Sequence, residues 1–109
     1  MLFQSGWTPL HIAASVGNEP IIAAILSKGA RINTTNNTGQ TPLHYAASRN
    51  RVEAAKALLA RGADPDLSDN YRATPLHRSA SKGNPKLVQI LLAHNANVNA
   101  QDSEGNTPL

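Results

Sequence analysis

The side chains with the greatest chemical reach in this chain are four histidines. His11, His44 and His77 each close the tetrapeptide Thr-Pro-Leu-His, at residues 8–11, 41–44 and 74–77, and His94 stands apart. Imidazole is both a common metal ligand and a general base near neutral pH. The spacing argues against both uses. One such His falls in each 33-residue interval, and units packed helix against helix would hold the rings roughly 10 Å apart. A zinc ion needs nitrogen ligands at about 2 Å. We expect instead a buried or half-buried His bonded to its own motif Thr and to nearby backbone. His94 belongs near the end of a helix, where a partly charged ring suits the negative end of the dipole.

The remaining chemistry is sparse. Asp64, Asp66 and Asp69 cluster, but in a turn-rich stretch where Asp commonly bonds its own backbone. The glycines are spaced by the repeat and never gather into a phosphate-binding loop. With no Cys there is neither a thiolate nucleophile nor a disulfide. No catalytic, cofactor or metal residues are therefore assigned, and no enzymatic activity is expected. The 109 residues suffice for one small domain. A net charge of +3 and 4% aromatic residues fall short of a nucleic-acid binder. The apolar runs are too short for a membrane span, and Met1–Ser5 lacks the features of a signal peptide. The expected location is the cytoplasm, the nucleus or both.

The elements that position these groups repeat with them. Thr8, Thr41 and Thr74 can cap a helix whose first residue is Pro9, Pro42 or Pro75. That helix should stop at Gly17, Asn50 or Gly83, residues that tolerate a left-handed end. A second helix follows, capped in the third unit by Asn84 with Pro85 first. It carries the apolar stripe Leu87, Val88, Leu91 and Leu92, and it stops at Gly29, Gly62 or Asn95. Asn36-Asn37-Thr38-Gly39 then reads as a hairpin-like turn, with Gly39 or Gly105 at positive φ. Arg72 occupies that column in the middle turn, so a different turn form is expected between Asp69 and Thr74.

One such helix pair cannot bury its apolar face alone, so the units should stack into a solenoid. The period of 33, the Thr-Pro-Leu-His motif and the Gly-Ala-x-x-Asn ending resemble the ankyrin repeat across residues 6–109. The fold class implied is an all-α ankyrin-repeat solenoid of helix-turn-helix units joined by β-hairpin-like turns. Residues 1–5 form an irregular N-terminus, with repeats at about 6–38, 39–71 and 72–104 and a partial one at 105–109.

The variable columns narrow the likeness. Gly6-Trp7 before the first motif, Tyr45-Ala46-Ala47-Ser48, His77-Arg78, Ser81-Lys82-Gly83-Asn84 and Asp102-Ser103-Glu104-Gly105-Asn106 resemble the gankyrin family. These are longer ankyrin arrays that chaperone assembly of the proteasome's regulatory particle. The likeness implies a proteasomal ATPase C-terminal domain as partner, and a partial array here, with at least one repeat missing before residue 6.

In such a stack the hairpin tips and the outer side of the first helix line a concave face. Trp7, Ile12 and Tyr45 form an apolar stripe there, with Gln40 and Tyr71 at the tips. Arg49, Arg72, Arg78 and Lys82 form a basic patch beside it. Trp, Tyr and Arg most often carry interface energy. We therefore expect a protein-binding site for an acidic surface on a monomeric chain, with no nucleic-acid or membrane partner and no cofactor. The alternatives are a generic ankyrin scaffold for another regulator, or self-association through uncapped ends.

Overall fold

The computed structural model describes residues 6–109; the expected irregular segment 1–5 lies outside the described residues. Six helices follow one another: α1 (Pro9–Val16), α2 (Glu19–Ser27), α3 (Pro42–Ser48), α4 (Val52–Ala60), α5 (Pro75–Ser81) and α6 (Pro85–Ala93). No strand occurs among the described residues. Each 33-residue interval supplies one antiparallel pair. The first helices stack α1 on α3 on α5, and the second helices stack α2 on α4 on α6. The chain is an all-α solenoid.

Local chemistry starts each first helix. The Thr8 hydroxyl oxygen accepts from the His11 backbone N–H at 3.3 Å, and the Thr8 N–H donates to His11 Nδ1 at 3.1 Å. Thr41 with His44 and Thr74 with His77 repeat this reciprocal cap. Imidazole thus does here what glutamate does in the usual capping box. The expected stops also hold: Gly17 (φ 81°), Asn50 (φ 58°) and Asn95 (φ 65°) are all left-handed.

Packing then fixes the pairs. Leu10, Leu43, Leu76, Ile22, Leu58, Leu87 and Leu91 are fully buried, each contributing about 1.5–3 kcal/mol of apolar transfer. Ala14 and Ala47 are wholly buried where α1 meets α3 and α3 meets α5, and their small size permits that approach.

Two expectations need correction. Asn84 occupies the cap position of α6, but its side chain does not cap. Its Nδ2 donates instead to the Ala47 carbonyl at 2.9 Å, tying the third repeat to the end of α3. Arg51, one repeat earlier, does the same with Nε on the Ser15 carbonyl. Arg72 does not escape positive φ either. It sits at φ 61° in the same turn as Gly39 and Gly105. The Asp69 N–H bonds the Ala73 carbonyl and the Arg72 N–H bonds the Asp69 carbonyl, both at 2.8 Å, matching Asn36 with Gln40 and Gly39 with Asn36. The Asp69 carboxylate adds the backbone N–H groups of Tyr71 and Ala73. Together these bonds outweigh the roughly 1–2 kcal/mol that a left-handed non-glycine residue costs.

Candidate functional site

The histidine column comes first because it holds the face in place. The Nε2–H of His11 donates to the Gln40 carbonyl at 2.7 Å, that of His44 to Ala73 at 2.9 Å, and that of His77 to Asn106 at 2.8 Å. A carbonyl only accepts, so the proton resides on Nε2. Nδ1 is then the acceptor for the motif Thr N–H. Burial pushes His11 and His44 below the ordinary histidine pKa, against the opposing pull of the carbonyls they bond. Each ring therefore ties its helix to the next turn and is committed on both nitrogens. Among the described residues no group of His, Cys, Asp and Glu could hold a metal ion.

Above this column the concave face is built from two three-residue clusters at equivalent positions. In the first, Trp7 packs against Tyr45 with ring centroids 4.3 Å apart and planes tilted by 47°, and the Tyr45 hydroxyl accepts from Asn36 Nδ2 at 2.9 Å. Asn36 is buried, and its Oδ1 accepts from Thr38 and Gln40 N–H groups. In the second, one repeat on, Asp69 stands where Asn36 stood, Arg78 replaces Tyr45 and Gln40 replaces Trp7. The Asp69 side chain is wholly buried and lies 2.6 Å from Arg78 Nη2. Arg78 Nε at 3.2 Å and Gln40 Nε2 at 3.1 Å also donate to it. Desolvation pushes Asp69 up. The hydrogen bonds from Arg78, Gln40, Ala73 and Tyr71 outweigh it and hold the carboxyl below its ordinary value. Arg78 also lies 6.0 Å from the centre of the Tyr71 ring, at the outer limit of a cation–π contact.

The structure thus gathers Trp7 with Tyr45, and Gln40 with Arg78 and Tyr71. Ile12 is 39% exposed beside the first group and Tyr71 is 61% exposed at its hairpin tip. Arg49 and Lys82 are exposed where α3 and α5 end, positions that favour cations. Arg72 is exposed at the middle tip. The expected basic patch divides here. Among the described residues the cation–carboxylate pairs are Arg78 with Asp69 and Lys56 with Glu53. The charge of Arg78 is largely spent on Asp69, leaving Arg49, Arg72 and Lys82 as the cations of the patch that face outward.

Asn36 and Asp69 escaped sequence reasoning as members of the face. Their signal was available: both stand nine residues before a concave-face residue, Tyr45 and Arg78, in one 33-residue column. Asp102 continues that column, and the Asn106 and Glu104 N–H groups bonded to it lower its pKa. The Asp64 carboxylate bonds its own turn as expected, accepting from the Asp66 N–H, whereas Asp66 reaches the next repeat and accepts from the Asn97 N–H.

Comparison with known families agrees with this geometry. A model described as ankyrin repeats in three copies matches residues 2–69, and one described as ankyrin repeats in many copies matches residues 58–109. No curated protein matches the chain. With paired helices, capped motifs and family models running from one end to the other, the chain belongs to the ankyrin-repeat family.

Proposed function

We propose that this protein–protein interaction module grips an acidic partner on its concave face. By its likeness to gankyrin, the partner is the C-terminal domain of a proteasomal ATPase subunit, bound during assembly of the regulatory particle. The chain acts by binding alone, as a monomer in the cytoplasm or nucleus. One observation carries this reading: the first repeats present a Trp7–Tyr45 ring contact, and the second and third present the exposed cations Arg49, Arg72 and Lys82. An aromatic pair offers desolvated contact area and the cations offer charge-assisted bonds to carboxylates. The internal pairing of Arg78 with Asp69 favours protein over nucleic acid, because a groove that tracks phosphates keeps its cations free.

The test is calorimetric titration with the isolated ATPase C-terminal domain at two salt concentrations. One-to-one binding that weakens with salt supports the proposal. Absence of binding by a chain that circular dichroism shows to be folded refutes the chaperone role and leaves a generic ankyrin scaffold. Self-association is the second reading, favoured by Val16 and Ile21, which are 58% and 47% exposed on the first repeat. Light scattering across a concentration series separates it from a monomer.

A further inference from the structure

The middle hairpin departs from its neighbours at two positions that match each other. Arg72 shares its column with Gly6, Gly39 and Gly105, and all four are left-handed. A Cβ added to Gly6 would stand 2.7 Å from Asn37 Oδ1, and one added to Gly39 would stand 2.5 Å from Asn70 Oδ1. At those two turns the asparagine of the following turn, as well as the backbone, demands glycine. In the same register the residue that follows Arg72 is Ser103. Serine has no carboxamide, so the crowding that excludes a Cβ elsewhere is relieved where the arginine stands. Ser103 still donates its N–H to the Tyr71 carbonyl at 2.8 Å, as Asn70 does to Thr38 at 3.0 Å. The ladder of turns is kept while a long side chain is admitted.

That side chain is exposed, and its guanidinium belongs to neither of the ion pairs among the described residues. Backbone strain carried by a side chain with no internal bond points to use outside the fold. Tyr71 beside it is 61% exposed, with its ring 6.0 Å from Arg78. The backbone under both is set before anything binds. The Asp69 carboxylate accepts the Tyr71 N–H at 2.9 Å, and the Arg72 N–H donates to the Asp69 carbonyl at 2.8 Å. A tip held in this way has little freedom left to lose on association. We infer that Tyr71 and Arg72 are the specificity-determining contact of the module, the Arg72 fork taking a carboxylate of the partner protein and Tyr71 giving it an aromatic neighbour. The inference rests on the protein-binding reading above and names the point at which the acidic partner is read. A guanidinium can hold a carboxylate through two parallel bonds, which an ammonium cannot. Glu104, exposed on the following tip, repels a carboxylate there and so confines it to the middle one.

The probe is hexaglutamate, with hexaglutamine as the uncharged control, titrated at low salt and followed by heteronuclear NMR of the arginine Nε–H groups. The largest shift should fall on Arg72, accompanied by the Tyr71 ring, and hexaglutamine should produce none. Arg72→Asn, which tolerates the left-handed turn, and Arg72→Gly should each weaken hexaglutamate binding about fivefold, the loss of one exposed charge-assisted contact. Arg72→Lys should lose about twofold, since charge remains without the fork. Arg61→Asn, at the exposed end of α4, should change nothing. Arg72→Gly should bind less while its urea midpoint rises; an arginine with a purely structural role would move both readings together. Unchanged affinity in Arg72→Asn, an equal loss in Arg61→Asn, or tighter binding of a hexathymidylate than of hexaglutamate would overturn the inference. If Ser103→Asn costs the parent no more stability than it costs Arg72→Gly, the accommodation is accidental and the inference loses its basis. Shifts at Arg49 and Lys82 without one at Arg72, or failure here with a positive titration against the ATPase domain, remove only the tip contact. Success here with a negative titration removes only the chaperone role.

Discussion

The two clusters on the concave face are alternative solutions to one geometry, and they can be exchanged. Asn36 with Tyr45 and Asp69 with Arg78 occupy equivalent positions, each a turn residue bonded to a helix residue nine places later. Arg78→Tyr alone strands the buried Asp69 carboxylate. Breaking a buried pair costs about 3–5 kcal/mol. Asp69 keeps the Tyr71, Ala73 and Gln40 donors, and Arg78 is 30% exposed. We therefore place this loss nearer to about 2 kcal/mol. Asp69→Asn alone sets an amide N–H against the Arg78 and Gln40 donors, at a cost of about 1–2 kcal/mol. In the double variant the side-chain amide introduced by Asp69→Asn can donate to the hydroxyl introduced by Arg78→Tyr, as Asn36 Nδ2 does to Tyr45 at 2.9 Å. Gln40 needs only to turn its amide over to accept rather than donate. The double variant should fall within about 1 kcal/mol of the parent, a coupling of about 2–3 kcal/mol. Urea unfolding followed by circular dichroism measures all four corners of the cycle. If the two single losses simply add, the clusters are not interchangeable and the positional equivalence has no energetic meaning.

Acid adds a second signature to the same cycle. The folded Asp69 pKa lies below its unfolded value, so its stabilisation is present above the unfolded value and disappears as pH falls through the folded one. The double variant should lack that part of the acid loss. The histidines act in a higher window. Burial lowers His44, and likewise His11, so below about pH 6.5 the unfolded chain gains protons that the folded chain refuses. Stability should decline from there as pH falls, by at most about 1.4 kcal/mol per pH unit for His44; a flat profile between about pH 7 and 5 would contradict the lowered pKa of the buried rings. Arg72→Gly removes left-handed strain of about 1–2 kcal/mol but frees the unfolded chain by about 0.4–1 kcal/mol. A net gain of about 0.5–1 kcal/mol in urea midpoint analysis is expected, and a clear loss would mean that the arginine side chain contributes more than its backbone costs.

The fold was legible because its determinants are local and repeated. Thr, Pro and His at three consecutive intervals announce the helix starts, and Gly or Asn announces the ends. The burial of the three motif histidines follows from the same regularity. What sequence reasoning missed depends on contacts between repeats. Asn84 reads as a helix cap by residue type, yet the Ala47 carbonyl lies within its reach and takes the bond instead. Arg72 reads as incompatible with a left-handed turn, yet the surrounding bonds impose that turn on it. Arg78 reads as a free cation until the buried carboxylate of Asp69 is found beneath it. Asn84 and Arg78 in particular take their roles from partners 37 and nine residues away, beyond the reach of local propensity.

The histidine bonds carry a consequence for the order of folding. Each reaches 29 residues ahead, from His11 to Gln40, from His44 to Ala73 and from His77 to Asn106. The return bonds of Arg51 and Asn84 span 36 and 37 residues. Bonds of this kind close little more than one repeat of chain, so forming them demands no distant encounter. During synthesis at about 5–20 residues per second, the acceptor for each histidine emerges a few seconds after the ring itself. The chain can therefore add repeats one at a time from its N-terminal side, each new turn locking the helix pair made just before it.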